Sequence, residues 1–434
     1  MSLWRRRQHL AWLGSAWSGA FATEARALST PLRVLWLVTG GKHRDAVARV
    51  LQGFEAAYPQ WRFEPMELDQ ADYKARVPQM LEARPAPADV MFWFAGERLR
   101  ELVRMGQLTP LTAVAQADGW AQQFQPALIA EASVQGDLYG LPLSTYLWGF
   151  FYRRSAFADW GLSPPRTWPE FLALCRRLQA LGIAPLMLGA RDDWAVAGWF
   201  GQFNLRLNGH SFHAALMRGE VPYTAPQVQA AFVAWRELLT MGAFHRKSQE
   251  LNWRQAIPYI SRRLGGMMLM GGFAAGQFPK AIRDDLAWFP FPPLDPKLPP
   301  LEEAPLDLLV IPTHCANPVG ARAFLRHMAQ PQIQAAFNES AGMLSPHQKV
   351  PPPAADWMRA STHALQRARG LTQFFDRDSP SAFSAPAMRA MQGFVEAPQR
   401  LPEVLQQLEA LRLQHYAHAT PPSGRSPAAM KRRP

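Results

Sequence analysis

Short apolar runs alternate with predicted helices over the first third of the chain. The runs at 32–38 (LRVLWLV), 61–68 and 89–94 (DVMFWF) have the length and the near-continuous hydrophobicity of buried parallel strands. Segments 44–58 and 72–84, which lie between them, are predicted to be helices. This alternation predicts an α/β unit built on a mostly parallel sheet.

Two loops of this unit are the first places to look for a ligand site. Ligands of open α/β sheets bind outside the carboxyl ends of the strands. Gly40-Gly41 follows the first predicted strand, and the loop at 93–96 (WFAG) follows the third. We therefore expect a site near these two turns.

The chain is predicted to pass between two lobes more than once. The proline-rich segment 290–305 has the composition of a connector, and the apolar run 306–312 predicts a strand that rejoins the first sheet. Helices are predicted at 168–181, 195–208, 226–241, 254–263, 318–328 and 331–340, and through 356–418. The predicted organisation is lobe 1 at 32–142 with 306–345, lobe 2 at 143–290 with 350–418, and a disordered basic tail at 420–434.

The first residues have the order of a secretory signal peptide. Three arginines at 5–7 precede a mildly apolar stretch that ends in Ala20-Phe21-Ala22. We predict a signal peptide at 1–22 for the general or the twin-arginine route, with an amphipathic helix or a disordered leader as the alternative. Neither Cys175 nor Cys315 follows this leader. The sequence therefore predicts a soluble periplasmic protein without a lipid anchor, with two buried free thiols rather than a disulfide.

Composition and charge narrow the class of protein. The chain has 434 residues, 48% hydrophobic and 18% charged, which excludes a chain that is disordered throughout. Of the formal net charge of +12, three charges lie in the leader and four in the tail, which leaves +5 for the body. A nucleic-acid-binding protein would gather its basic residues on one element. No nucleic-acid partner is therefore predicted.

The chain offers little catalytic chemistry. The Gly-Lys pair in 39–43 lacks the upstream glycine and the following Ser/Thr of a phosphate-binding loop, and 209–213 (GHSFH) lacks the last glycine of a nucleophile elbow. The histidines are scattered, and no metal-binding spacing occurs. We predict a binding protein without catalytic residues, metal or cofactor.

Aromatic residues stand where predicted elements end, rather than in their middles. Flat rings stack on the C–H faces of sugars while neighbouring polar groups bond the hydroxyls, and both suit a concave site. Packing in a core is the alternative for any single ring. The residues of this set are Trp93, Tyr146, Trp148, Trp194, Trp199, Trp253 and Phe273.

Several motifs resemble the extracellular solute-binding proteins of ABC transporters, in the branch that binds carbohydrates. The segments are 138–142 (LYGLP), 149–152 (GFFY), 165–171 (PRTWPEF), 182–186 (GIAPL) and 268–273 (MLMGGF). Within them, Thr167, Pro169 and Glu170 form a helix start with a capping box, so their role is structural. The resemblance covers nearly the whole chain after the leader.

The resemblance implies a two-lobe periplasmic-binding-protein fold with a ligand cleft between the lobes. The expected ligand is a mono- or oligosaccharide, or a related polyol or sugar acid, which a monomeric protein captures by lobe closure and delivers to an inner-membrane permease. Carried over position by position, the ligand-binding residues are Trp93, Tyr146, Trp148, Trp194, Trp253, Phe273 and Asp307.

The sequence departs from the carbohydrate-binding branch at two positions. Gly272 stands where the glucose-type relatives have an acid, and the first-strand loop carries Lys42 where an acid is common. These departures favour a different sugar, or a ligand with fewer hydroxyls or a negative charge. Two alternatives stay open: a periplasmic sensor that reports its ligand to a membrane histidine kinase, and a secreted carbohydrate-active enzyme, which would need a carboxylate pair flanking the cleft.

Overall fold

The computed structural model describes residues 30–416, except Thr39 and Asp69. Its strands are β1 (Thr30–Leu37), β2 (Trp61–Leu68), β3 (Val90–Phe94), β4 (Ser133–Val134), β5 (Asp137–Leu138), β6 (Gly140–Thr145), β7 (Trp148–Arg153), β8 (Ala184–Met187), β9 (Gly265–Gly271), β10 (Leu286–Pro290), β11 (Leu301–Glu303), β12 (Leu306–Val310) and β13 (Gly370–Thr372). The predicted signal peptide and basic tail lie outside the described residues.

Helices surround these strands. They are α1 (Gly41–Ala57), α2 (Gln70–Met80), α3 (Glu97–Arg104), α4 (Thr112–Ala117), α5 (Trp120–Gln123), α6 (Pro126–Glu131), α7 (Arg154–Asp159), α8 (Trp168–Ala180), α9 (Asp193–Met217), α10 (Pro226–Thr240), α11 (Trp253–Ser261), α12 (Pro318–Met328), α13 (Pro331–Ala341), α14 (Asp356–Arg367), α15 (Phe375–Asp378), α16 (Ser381–Glu396) and α17 (Leu401–Tyr416). Short 3-10 helices span Gly272–Gln277, Lys280–Asp285 and Pro398–Arg400.

The first lobe is built on a five-stranded sheet in the order β2-β1-β3-β12-β6. The strand β12 is antiparallel to both of its neighbours, and the other four strands run in one direction. The central strand β3 is buried along its whole length, as its continuous apolar sequence predicts. The predicted strand at 306–312 therefore does rejoin the first sheet.

The second lobe is built on a four-stranded sheet in the order β10-β7-β9-β8. Here β7 opposes the other three strands, which share one direction. The helix α8 packs on this sheet beside β8. Thr167 caps it as predicted, since its hydroxyl accepts a hydrogen bond from the Glu170 amide, but the capping box is not complete, because the Glu170 carboxylate accepts from the Arg166 amide rather than from that of Thr167.

The chain crosses between the two sheets where β6 leads to β7, where β11 leads to β12, and in the segment between α13 and α14. Near β11 the structure differs from the prediction made from the sequence. The segment 290–305, expected to be a plain connector, contains β11, which pairs in parallel with β13 inside the region expected to be helical. Both strands have only three residues, too few for a periodicity to stand out.

Three further observations concern expectations from the sequence. Cys175 and Cys315 are both free; Cys175 is buried and Cys315 is half-buried. Burial raises the pKa of each thiol to about 12, which makes both unreactive. No helix within the described part of the chain is long and apolar enough to cross a membrane.

The Asp89 carboxylate ties the first lobe together just before β3. It accepts hydrogen bonds from the backbone amide of Arg33 in β1 at 2.9 Å and from the guanidinium of the same residue at 3.1 and 3.3 Å. The amides of Ala316 and Asn317, ahead of α12, also donate to it, at 3.1 and 3.0 Å. Burial on its own would raise the pKa of Asp89, but the bonds from Arg33 and Asn317 outweigh it and hold the pKa below its ordinary value.

We expect Asp89→Asn to lower the free energy of unfolding by about 1.5 kcal/mol at pH 7, because hydrogen bonds to a charged acceptor are lost. A carboxyl whose pKa is lowered by folding stabilises the fold above its unfolded pKa, near 3.9, and this stabilisation is lost as the pH falls through the folded value. Urea unfolding at pH 7 and pH 3 tests this expectation. The two proteins should differ less at pH 3, and an equal difference at both values would contradict it.

Candidate functional site

A small cavity lies where the two lobes meet. Its volume is about 30 Å³, about the space of one or two water molecules. Its walls are aromatic on one side and charged on the other. The lining residues are Lys74, Tyr146, Trp148, Trp194, Phe273, Phe374, Asp376 and Arg377.

The strand order brings the aromatic residues to one edge of the second sheet. Trp148 begins β7, which runs against its neighbours, and Phe273 follows the carboxyl end of β9 in the next turn of chain. Trp194 lies in the first turn of α9, which follows β8, and Tyr146 lies between β6 and β7 at the crossing. This edge is where ligands of α/β sheets bind.

The rings of this edge contact one another closely. Trp148 stacks on Phe374, with centroids 4.9 Å apart and planes 18° apart, and meets Trp194 edge to face at 6.1 Å. Phe273 meets Tyr146 edge to face at 5.1 Å. These are the geometries that aromatic pairs prefer, so the contacts among these rings hold the aromatic cluster in place.

Two ion pairs form the polar wall. Lys74 of α2 in the first lobe pairs with Asp376 of α15, which packs on α9 of the second lobe. The guanidinium of Arg377 bonds the Asp307 carboxylate at 2.7 Å and the Tyr146 hydroxyl at 2.9 Å. Both pairs bind α15, which contacts α3 of the first lobe as well as α9 of the second, to residues of the first lobe.

The charges of this wall perturb one another. Burial on its own would raise the pKa of Asp376, but the nearby cations of Lys74 and Arg98 outweigh it and lower the pKa below its ordinary value. Burial lowers the pKa of Lys74, and Asp376 partly opposes that effect. Asp376 Oδ1 is buried without a hydrogen-bond partner among the described residues. It is therefore an acceptor that a ligand hydroxyl could satisfy.

The structure brings together most of the residues predicted for the site. Tyr146, Trp148, Trp194 and Phe273 line the cavity. Trp253 does not line it, but its ring meets those of Trp194 at 6.0 Å and Phe273 at 5.5 Å.

Asp307 lies behind the cavity, where it holds Arg377. The Ser144 hydroxyl donates to the other oxygen of its carboxylate, at 3.2 Å. Burial raises the pKa of Asp307, and Arg377 and Ser144 partly offset this rise. Asp307 therefore shapes the site by positioning a cation.

Trp93 is not brought to the site, which corrects the prediction for this residue. It is buried in the first lobe, its indole N–H donates to the Arg98 carbonyl at 3.0 Å, and its ring meets that of Tyr73. Successive side chains of a strand point to opposite faces. The next residue, Phe94, accordingly has the Arg377 guanidinium over its ring at 4.5 Å.

The two loops singled out by the sequence approach the second lobe without lining the cavity. A Cβ on Gly40 would lie 2.8 Å from the Gln277 side-chain amide of the second lobe. Gly96, at φ +79°, has no room for a side chain, because a Cβ would lie 2.7 Å from the Arg377 carbonyl oxygen.

Four lining residues were missed by the sequence analysis: Lys74, Phe374, Asp376 and Arg377. The last three belong to 374–378 (FFDRD), where aromatic residues stand beside charges of both signs. That composition was a usable signal of a site, but the segment fell in a region expected to be helical throughout. Lys74, Asp376 and Arg377 supply charged groups to the site, whereas Gly272 has no side chain at the position where the glucose-type relatives have an acid.

Within the described ranges, no group of three or more His, Cys, Asp or Glu side chains is placed to hold a metal ion. The polar chemistry that the cavity offers comes from its ammonium, guanidinium, carboxylate and phenol groups. The lining offers ring faces for stacking and polar groups for hydrogen bonds, but the cavity of about 30 Å³ is smaller than a sugar ring, so a ligand of that size requires the lobes to move apart.

Known proteins resemble this chain in sequence and in fold. The family model of the bacterial extracellular solute-binding proteins matches residues 40–335. An ABC transporter extracellular-binding protein of Pyrococcus horikoshii is 27% identical over 317 residues, which cover 71% of this chain and 71% of that protein.

Two solved structures extend the comparison. The bacterial solute receptor AcbH, described as exclusively preferring β-D-galactopyranose, is 26% identical with a TM-score of 0.83, over 89% of this chain and 99% of that one. A chitin oligosaccharide binding protein is 21% identical with a TM-score of 0.80, over 90% of this chain and 99% of that one. These likenesses confirm the predicted two-lobe α/β fold.

Proposed function

Because this chain belongs to the bacterial extracellular solute-binding proteins, we propose that it is the carbohydrate-binding component of an ABC transporter. It captures its ligand in the cleft between the lobes and closes around it. The predicted identity as a binding protein rather than an enzyme is confirmed by the family. The sensor alternative has no observation in its favour, since the relatives are named for ABC transporters.

The observation that supports this proposal is the lining of the cavity, which combines aromatic rings with paired charges. Half-buried rings of Trp194 and Phe273 offer apolar faces for the C–H side of a sugar. Lys74, Asp376 and Arg377, each paired with an opposite charge, offer donors and acceptors for hydroxyls. The two cations balance the two carboxylates, which favours a neutral sugar over a sugar acid. AcbH, with its galactopyranose preference, supports this class of ligand.

The location and the partners follow from the same proposal. We place the protein in the periplasm as a monomer, after removal of the leader and without a lipid anchor. Its closed form meets an inner-membrane permease, because closure both buries the ligand and changes the surface that the two lobes present together.

A ligand screen tests the proposal. Purified protein is titrated with neutral monosaccharides, neutral disaccharides, polyols, sugar acids and amino acids, with intrinsic tryptophan fluorescence and thermal unfolding as readouts. We expect a neutral sugar to raise the melting temperature and change the fluorescence, because ligand binding to the folded state stabilises it. A response to an amino acid or to a sugar acid, with none to neutral sugars, would contradict the proposal.

A further inference from the structure

Both faces of the Trp148 ring are covered by the protein itself. Phe374 stacks on one face at 4.9 Å, nearly parallel at 18°. Gly198 of α9 lies against the six-membered ring of the indole, so close that a Cβ there would be 2.7 Å from Cζ3, and the whole residue Trp148 is only 1% exposed. Trp148 lines the cavity but has no free face on which a ligand ring could stack.

Phe374 is held in this place by its own backbone. Its carbonyl accepts hydrogen bonds from the Arg377 and Asp378 amides, at 2.8 and 3.0 Å. The preceding residue, Gln373, accepts a bond from the Leu306 amide at 2.9 Å. The ring is buried, at 4% exposure. The backbone that carries Phe374 is therefore fixed at the start of α15.

The ring of Phe374 packs on aromatic residues of the second lobe, while the residue before it also bonds Leu306 of the first sheet. Trp148 begins β7 of the second sheet, and Phe374 also meets Trp194 of α9, edge to face at 6.4 Å. Of the aromatic residues that line the cavity, Trp194 and Phe273 are the ones left half-buried. Their rings are 6.1 Å apart with planes at 53°, so a sugar ring can lie flat on only one of them at a time.

We propose that Phe374 limits the ligand to a single sugar ring, because its phenyl ring takes the position on Trp148 where a second ring would stack. This inference rests on the proposed carbohydrate function and specifies its size class. The cavity of about 30 Å³ is smaller than a sugar, so the ligand enters when the lobes move apart, and a monosaccharide then stacks on Trp194 or Phe273 with Phe374 in place. A disaccharide would have to displace Phe374 or leave its second ring without an aromatic partner.

Calorimetric titration of the full chain with D-galactose, D-glucose, lactose and maltose tests the size limit. The wild-type protein should bind its preferred monosaccharide at least tenfold tighter than either disaccharide. Phe374→Ala should reduce the ratio of monosaccharide to disaccharide affinity at least tenfold by strengthening disaccharide binding. Phe374→Leu, which keeps more of the buried volume, should shift the ratio in the same direction if the alanine variant does not fold.

Phe375→Ala is the matched control. Its ring packs inside the second lobe against Phe200 and Phe383, at 6.1 Å from each, and it does not line the cavity. This variant removes the same side-chain atoms at the next residue. Its ratio of monosaccharide to disaccharide affinity should stay at the wild-type value. Wild-type binding of a disaccharide as tight as that of a monosaccharide, or a ratio unchanged in both Phe374 variants, would overturn the size limit alone. If no variant binds any sugar, the carbohydrate function fails and the size limit falls with it.

Discussion

Arg377→Met should lower the free energy of unfolding by about 3–5 kcal/mol, the usual effect of removing one partner from a buried ion pair. Methionine fills a similar length of buried space but leaves the Asp307 carboxylate without its cation. That carboxylate is 2% exposed, and its remaining side-chain partner is the Ser144 hydroxyl. Chemical denaturation followed by tryptophan fluorescence measures the effect.

Two further variants separate the buried ion pair from a general loss of charge. Arg377→Met combined with Asp307→Asn should recover much of the stability, because no buried carboxylate is then left without a cation. Arg326→Met breaks the pair with Asp118, whose arginine is half exposed and whose atoms are 2.8 Å apart. It should lower the free energy of unfolding by about 1 kcal/mol or less, as exposed pairs do. Equal effects of the two single arginine variants would contradict the expectation.

Trp194→Ala should weaken binding of the preferred sugar at least thirtyfold, which corresponds to about 2 kcal/mol, the scale of an aromatic anchor in a binding site. The ring contributes to the stacking surface and also supports Phe273 and Trp253 by edge contacts. Because Trp194 is only half-buried, the variant should fold. Calorimetric titration measures the affinity, and circular dichroism checks the fold.

Trp160→Ala is the control for the loss of a tryptophan elsewhere in the second lobe. Trp160 is also half-buried, and it packs on Phe157 at the end of α7, outside the cavity lining. Its affinity should stay within about twofold of the wild-type value. An unchanged affinity in Trp194→Ala would show that the sugar does not stack on this ring.

The fold was predictable because its signals are long and local. The strand β3 is a continuous apolar run, α8 begins with a capping threonine, and the strand β12 after the proline-rich segment has the composition of a buried strand. Each of these signals depends on neighbours in sequence. Short strands such as β11 and β13 give no such signal, since each is formed by pairing with a segment about 70 residues away.

The site was predictable only in part, for a related reason. The aromatic residues at element ends were found from their placement and from the family resemblance. Trp93 lies away from the cavity because neighbouring residues of a strand face opposite sides of the sheet. Since β3 is apolar on both sides, its sequence does not show which of its residues face the cavity. Asp376 and Arg377 come from the last third of the chain, and their meeting with Lys74 and Asp307 depends on tertiary contacts that no local pattern encodes.

The position of β12 between β3 and β6 has a consequence for folding. The strands on either side are complete by residue 145, but the strand that joins them is made only with residues 306–310. At 5–20 residues per second, the ribosome needs roughly 8–30 s to bridge that gap. Until then β3 and β6 keep unpaired edges, and the first lobe cannot complete its sheet. A chain built this way stays incompletely folded through most of its synthesis.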